Sequence, residues 1–296
     1  MKQPLPASVR ELITARKRRK AALERLQPLL IENRDLFKAQ ICDKLTGLAS
    51  GPQWYNFQKC GVEEIYMTCR GCGTFEKFYF ACNRKWCPLC NHKLAHQRAE
   101  RIAMWAAKVT QPKHVVLTMR NFPVLTRKVI RQFQAALVKL RRQNVWAEVR
   151  GGCASIEVTN SGQGWHLHAH ILADAYWIDA ADLAIDWGRL VGQAFGIIKV
   201  KDVRGEGYVN EVSKYVAKGS EMASWAPEQL LEFILAIKGV RFFAAFGSLR
   251  EARKDIERQL KFAKRERRKC SCGCNDFQFE TEASSILNDI RKAKRR

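Results

Sequence analysis

The stretch Cys153–Leu172, CASIEVTNSGQGWHLHAHIL, decides how this chain is read. Asn160-Ser161-Gly162-Gln163-Gly164 is a cluster of turn formers between two apolar, β-branched runs. It predicts a hairpin, with strands over Cys153–Thr159 and Trp165–Leu172. Residues i, i+2 and i+4 of a strand share one face. His166, His168 and His170 therefore line one side, while Leu167, Ala169 and Ile171 face a core. Half of the six histidines of the chain fall within these five residues. Three imidazoles at this spacing point to a divalent metal; a polar sheet face rich in His is the alternative. The turn folds Glu157 back beside the histidines, either as a carboxylate that completes the ligand set or as an exposed strand residue.

Outward from this hairpin the pattern is orderly. His114–Met119 (HVVLTM) reads as a strand. Residues 126–146 read as a helix, with Val129, Ile130, Phe133, Leu137 and Leu140 at helical spacing. A helix follows over 179–195, a strand over Ile197–Val203 and a helix over about Tyr208–Lys218. The order β-α-β-β-α-β predicts an α+β class, with a ferredoxin-like antiparallel sheet, helices on one face, and the first and third strands central. The expected organisation is a helical basic region over 1–50, a Cys-rich zinc segment over 51–91, and a catalytic core over 92–225. A helical part over 226–269, with a short strand near Arg241–Ala244, and a Cys-containing basic tail over 270–296 complete it. No internal repeat is evident.

The chain has 296 residues, 52 Lys+Arg and 29 Asp+Glu, a net charge of +23. That imbalance suits a polyanionic partner, nucleic acid before membrane. No apolar run approaches the roughly 18 residues of a membrane span, and the N-terminal sequence lacks a signal-type apolar region. A cytoplasmic, DNA-associated protein without a membrane partner is expected. Arg16, Arg18 and Arg19 in the run 16–20, and Lys264, Arg265, Arg267 and Arg268 in the run 261–269, are candidate DNA contacts. So is the basic run 291–296.

Eleven cysteines, six of them between Cys60 and Cys90, favour metal binding over disulfides in a chain without a secretory signal. The pairs Cys69-x2-Cys72 and Cys87-x2-Cys90 are the preferred ligands of one structural Zn2+. Cys60 and Cys82 are spare candidates and His92 a further one. Cys270-Ser271-Cys272-Gly273-Cys274 reads either as part of a second zinc site that uses Cys60 or as a flexible tail with free thiols. Trp54, Trp86, Trp165 and Tyr208 are candidates for stacking unpaired bases.

In NEVSKYVAK, Glu211 and Tyr215 stand i and i+4 on the expected helix, with Lys218 near the same face. A phenol needs such neighbours to act as a nucleophile, because its free pKa is about 10. An inert helix surface is the alternative.

HVVLTMRN, GWHLHAHIL and NEVSKYVAK together resemble the HUH endonucleases, above all rolling-circle plasmid replication initiators (Rep proteins) and related single-strand transposases. The resemblance covers about residues 60–250, including CNRKWCPLC and GVRFFAAFGSLR. The family's His-hydrophobic-His element maps onto His168-Ala169-His170, with His166 as the extra His before it. The resemblance implies that Mg2+ or Mn2+ on His168, His170 and Glu157 polarises a scissile phosphate. Tyr215 then forms a 5′-phosphotyrosine and leaves a 3′-OH primer, Glu211 directs water in a second step, and Lys214 and Lys218 hold phosphate. It further implies an origin-nicking plasmid initiator acting on single-stranded or hairpin DNA, with host polymerase and helicase as partners. A transposase of the same chemistry is the nearest alternative. A non-catalytic zinc-ribbon DNA-binding protein is the other, and it leaves the histidine row unexplained.

Overall fold

In the computed structural model, which describes residues 34–107, 109, 111–203, 219–267, 270, 272–274 and 276–280, α1 (34–45) and α2 (Pro52–Lys59) precede a hairpin of β1 (Glu64–Cys69) and β2 (Phe75–Tyr79). Then come α3 (Pro88–Ala106), β3 (Pro112–Thr118), α4 (Arg127–Leu140), β4 (Gly151–Asn160), β5 (Trp165–Asp174), α5 (Ala180–Val191) and β6 (Ile198–Asp202). The remaining elements are α6 (Gly219–Ser224), α7 (Pro227–Ile237), β7 (Phe243–Phe246), α8 (Gly247–Glu251), α9 (Arg253–Arg267) and β8 (Phe277–Glu280). Among the described residues no helix is long and apolar enough to cross a membrane.

Local chemistry sets the helix ends. Thr126 caps α4 by accepting a hydrogen bond from the Val129 N–H at 3.2 Å. The helix stops at Leu140, short of the expected 146, and Asn144–Trp146 forms a separate 3-10 turn. The Asp179 carboxylate accepts from the Ala181 and Asp182 N–H groups at 2.8 and 2.9 Å and starts α5. Gly192, at φ +69°, ends it in the left-handed conformation, three residues before the expected 195.

Five strands pair antiparallel in the order β6-β3-β5-β4-β7. β3 and β5 lie inside, as expected; β4 lies inside too, because β7 extends the sheet. The strand expected near Arg241–Ala244 is found at Phe243–Phe246. A smaller antiparallel sheet has the order β2-β1-β8. The Cys-rich segment 51–91 thus contains α2 and a hairpin, and residues 277–280 of the expected tail form a strand against β1.

One face of the large sheet offers Val115, Leu117, Ile156, Val158, Leu167, Ala169 and Ile171, all buried against α4, α5 and α7. The expectation of helices on one face only is corrected by the other side. There Cys153 and Leu172, in line with Glu157 and the histidines, are fully buried with Ile102 and Trp105 of α3, Leu249 of α8 and Ile256 of α9. Small and branched apolar residues at one end of β4 and β5 recruit this second layer. The end carrying His166 and His168 is left partly open, with both side chains half-buried.

Trp187 of α5 shows how tightly the first layer is made. It is fully buried, meets Phe133 edge-on at 5.5 Å between ring centroids, and donates its indole N–H to the Thr118 carbonyl at 2.6 Å. Trp187→Ala is expected to lower stability by about 3–5 kcal/mol through the cavity it leaves and the orphaned carbonyl. Denaturant titration measures this as a fall in midpoint.

Candidate functional site

The register of the β4–β5 hairpin assembles the site. Glu157 stands opposite His168 and Ser155 opposite His170, so carboxylate and imidazoles share a face. His168 Nε2 lies 2.8 Å from Glu157 Oε2, and His170 Nε2 lies 3.3 Å from the same oxygen. The ligand atoms of the three residues fall within 4.8 Å of one another. Glu157 and His170 are buried and His168 half-buried. Burial pushes the Glu157 carboxyl up, but the imidazoles of His168 and His170 beside it outweigh that effect and hold it well below the usual carboxylate range. The carboxylate is therefore ionised at neutral pH.

The donor set fits a divalent ion. His170 Nε2 is buried and makes no hydrogen bond, leaving an imidazole nitrogen beside a carboxylate and available to ligate. His170 Nδ1 is 3.3 Å from His114 Nε2, and the two rings stack with 15° between their planes. A partner on the second ring nitrogen orients an imidazole ligand and selects its tautomer. His166, expected as a ligand, is not drawn into the group. Its Nδ1 is 2.8 Å from Asn121 Oδ1, and burial followed by the nearby His168 pushes its pKa down.

Sequence reasoning missed His114 and Asn121, although His114 opens the strand HVVLTM. It also missed Lys199 and Lys201 of β6. Register places them opposite Val116 and His114, on the histidine face, where both are exposed. Their signal was the alternation with Ile198 and Val200. Beside His166, a cleft of 480 Å³ is lined by residues that include Asn121, Phe122, Gln163 and Glu232.

The cysteines divide differently from the expected set Cys69, Cys72, Cys87 and Cys90. Cys60, Cys82, Cys87 and Cys90 form one group, all buried. Cys60 Sγ is 3.4 Å from Cys90 Sγ and 3.7 Å from Cys87 Sγ, and Cys82 Sγ is 3.7 Å from Cys90 Sγ. Four sulfurs about 2.3 Å from a zinc ion stand roughly 3.8 Å apart, close to these values. Cys87 is the N-cap of α3 with Pro88 after it, which puts Cys90 in the first helical turn, where the helix dipole favours thiolate. The Asn83 N–H, from a residue at φ +54°, donates to Cys90 Sγ at 3.2 Å, and the Cys82 N–H donates to Cys60 Sγ at 3.4 Å. The surrounding Cys82, Cys87 and Cys90 thiols hold Cys60 below its ordinary pKa.

Cys69 and Cys72 form the second group with Cys270 and Cys272. The hairpin separates the expected foursome. β1 runs from the Cys60 end of the segment to Cys69, and β2 returns toward Cys82. The cysteines of 270–274 are thus neither partners of Cys60 nor a free tail. His92 belongs to neither group.

Residues 48–119 match a family model, the transposase zinc-binding domain of the IS91 type. No curated protein and no solved structure matches the chain. The match supports a transposase- or Rep-like HUH relative with a zinc-binding segment, and with the four-cysteine clusters it supports structural Zn2+. Of the six cysteines inside it, four complete the first cluster, and Cys69 and Cys72 are left as half of the second.

Glu211, Lys214, Tyr215 and Lys218 lie outside the described residues, as do Arg16, Arg18, Arg19, Arg268 and Tyr208. Lys264, Arg265 and Arg267 fall in the last turns of α9. Trp86 and Trp165 are core residues, against Phe57 and against Trp225 and Phe233, so neither is placed for stacking bases.

Proposed function

We propose that the chain is a metal-dependent HUH single-strand DNA endonuclease and strand transferase, and that it works as a transposase of single-stranded DNA. The observation that carries this reading is the Glu157–His168–His170 group on a sheet face left partly open and edged by Lys199 and Lys201. The strand order β6-β3-β5-β4 is that of a ferredoxin-like sheet, which supports the HUH topology. The zinc-domain match favours the transposase branch, since IS91-type transposases are HUH nucleases.

Glu157, His168 and His170 would hold Mg2+ or Mn2+, which neutralises charge on the scissile phosphate. His114 keeps the His170 ring oriented, and Lys199 and Lys201 attract the DNA backbone. Tyr215 supplies the nucleophile: its phenolic oxygen bonds to phosphorus, the 3′-oxygen leaves as a hydroxyl, and the product is a 5′-phosphotyrosine. Lys214 and Lys218 hold phosphate near it, and Glu211 serves as base when water or a second strand resolves the link. The Cys60 cluster is structural. A second reading, a rolling-circle plasmid initiator that recruits host polymerase and helicase, is favoured by the acidic residue Glu211 four positions before Tyr215. Either protein would work on DNA in the cytoplasm.

Incubation with labelled single-stranded hairpin DNA from the gene's own flanks and Mn2+ tests the chemistry. The wild-type chain should form a covalent protein–DNA species, and Tyr215→Phe should lose it by a factor of about 10³ or more. DNA binding without any covalent species in the wild type overturns the reading in favour of a binding module.

A further inference from the structure

The second cysteine group joins segments about two hundred residues apart. Cys69 Sγ is 3.7 Å from Cys272 Sγ, and Cys72 Sγ is 3.4 Å from Cys270 Sγ. Two related turns carry them, the first one residue longer than the second. In the first, the Gly73 N–H donates to the Cys69 carbonyl at 2.8 Å and the Cys69 N–H to the Thr74 carbonyl at 2.9 Å. In the second, the Gly273 N–H donates to the Cys270 carbonyl at 2.8 Å and the Cys270 N–H to the Cys274 carbonyl at 2.7 Å. Gly73 and Gly273 both take positive φ, +73° and +85°, which lets each turn close under its sulfurs. Behind the turns, β8 pairs with β1, Cys69 standing opposite Phe277, and the Arg70 N–H donates to the Asp276 carbonyl at 2.9 Å.

This three-stranded ribbon has no apolar core among the described residues. No described side chain of β1, β2 or β8 belongs to either hydrophobic cluster, and Tyr66, Phe75, Phe78 and Tyr79 are exposed. A sheet of three short strands without a buried face needs another source of stability, and four converging thiols supply one. Half of them, Cys270 and Cys272, lie far beyond the stretch that matches the zinc-binding domain. The group also differs from the first in access: Cys72 and Cys272 are exposed, whereas all four cysteines of the first cluster are buried.

We propose that Cys69, Cys72, Cys270 and Cys272 bind a second Zn2+ that clasps β8 onto the front hairpin, and that this ion is surrendered before the first. Zinc binding replaces the thiol protons with four Zn–S bonds and releases those protons to solvent; no electron is transferred. Chelator or thiol-oxidant exposure would then free the segment from residue 270 onward while leaving the first cluster loaded.

Zinc content by mass spectrometry and hydrogen exchange on the full chain test the proposal. The wild type should carry two zinc ions, lose one rapidly to a chelator, and lose protection over 64–79 and 277–280 with it. Cys270→Ser with Cys272→Ser should carry one ion, lack the rapid phase, and keep wild-type protection over 88–106. The same variant with Cys274→Ser added should behave identically, which excludes a substitute ligand. One ion in the wild type, two in the triple variant, or simultaneous release of both ions overturns the proposal.

Discussion

Glu157→Gln is expected to reduce metal-dependent DNA cleavage by about 10²- to 10³-fold. The amide keeps the shape of the side chain and can still hydrogen-bond His168, so the fold should persist. What disappears is the negative charge that two imidazoles face from 2.8 and 3.3 Å. A divalent ion would then rest on two neutral nitrogens and bind weakly. Single-turnover cleavage measured across a Mn2+ titration should show a raised metal requirement as well as a lower maximum. His114→Ala should give a smaller loss, about 10- to 100-fold, because it removes only the partner that orients His170. A Glu157→Gln protein with the wild-type metal profile would show that the carboxylate is not a ligand.

The second large effect concerns stability. Cys87→Ser is expected to cost about 5 kcal/mol or more, since structural zinc sites contribute apparent binding energies of about 10–16 kcal/mol to folding. For a chain of this size that is a fall of roughly 10–20 °C in Tm. The loss spreads because Cys60, Cys82, Cys87 and Cys90 are part of the main core with Phe57, Trp86, Ile41 and Leu45. Scanning calorimetry with zinc analysis checks it. Cys42→Ser is the control: Cys42 is half-buried and outside both clusters, and its substitution should leave Tm and zinc content near wild type. An unchanged Tm in Cys87→Ser would remove the first cluster from the account of stability.

Much of the sheet and its site was legible in the sequence because strand alternation carries side-chain direction with it. The turn 160–164 set the hairpin, and the hairpin set Glu157 against His168. The cysteine groups were not legible. Spacing identifies which cysteines share a turn, as Cys69 and Cys72 do, but not which turn meets which. That depends on β1 and β2 carrying the pairs to opposite ends and on β8 returning from beyond residue 270. The second helical layer was hidden for a related reason. Cys153 and Leu172 occupy the same parity as the histidines, and only the approach of α3, α8 and α9 shows that this parity is apolar at one end. His114 reached the site from a separate strand, a contact that no local pattern encodes.

The two cysteine groups also differ in when they can exist during synthesis. The ligands of the first are complete once Cys90 has left the ribosome, before any strand of the large sheet has emerged. The second must wait for Cys272. At roughly 5–20 residues per second that interval is on the order of 10–40 s. Throughout it, Cys69 and Cys72 stand as an unfilled half-site on an emerging hairpin. The nascent chain thus takes its metal in a fixed order, and β8 seals the ribbon that Cys69 and Cys72 began.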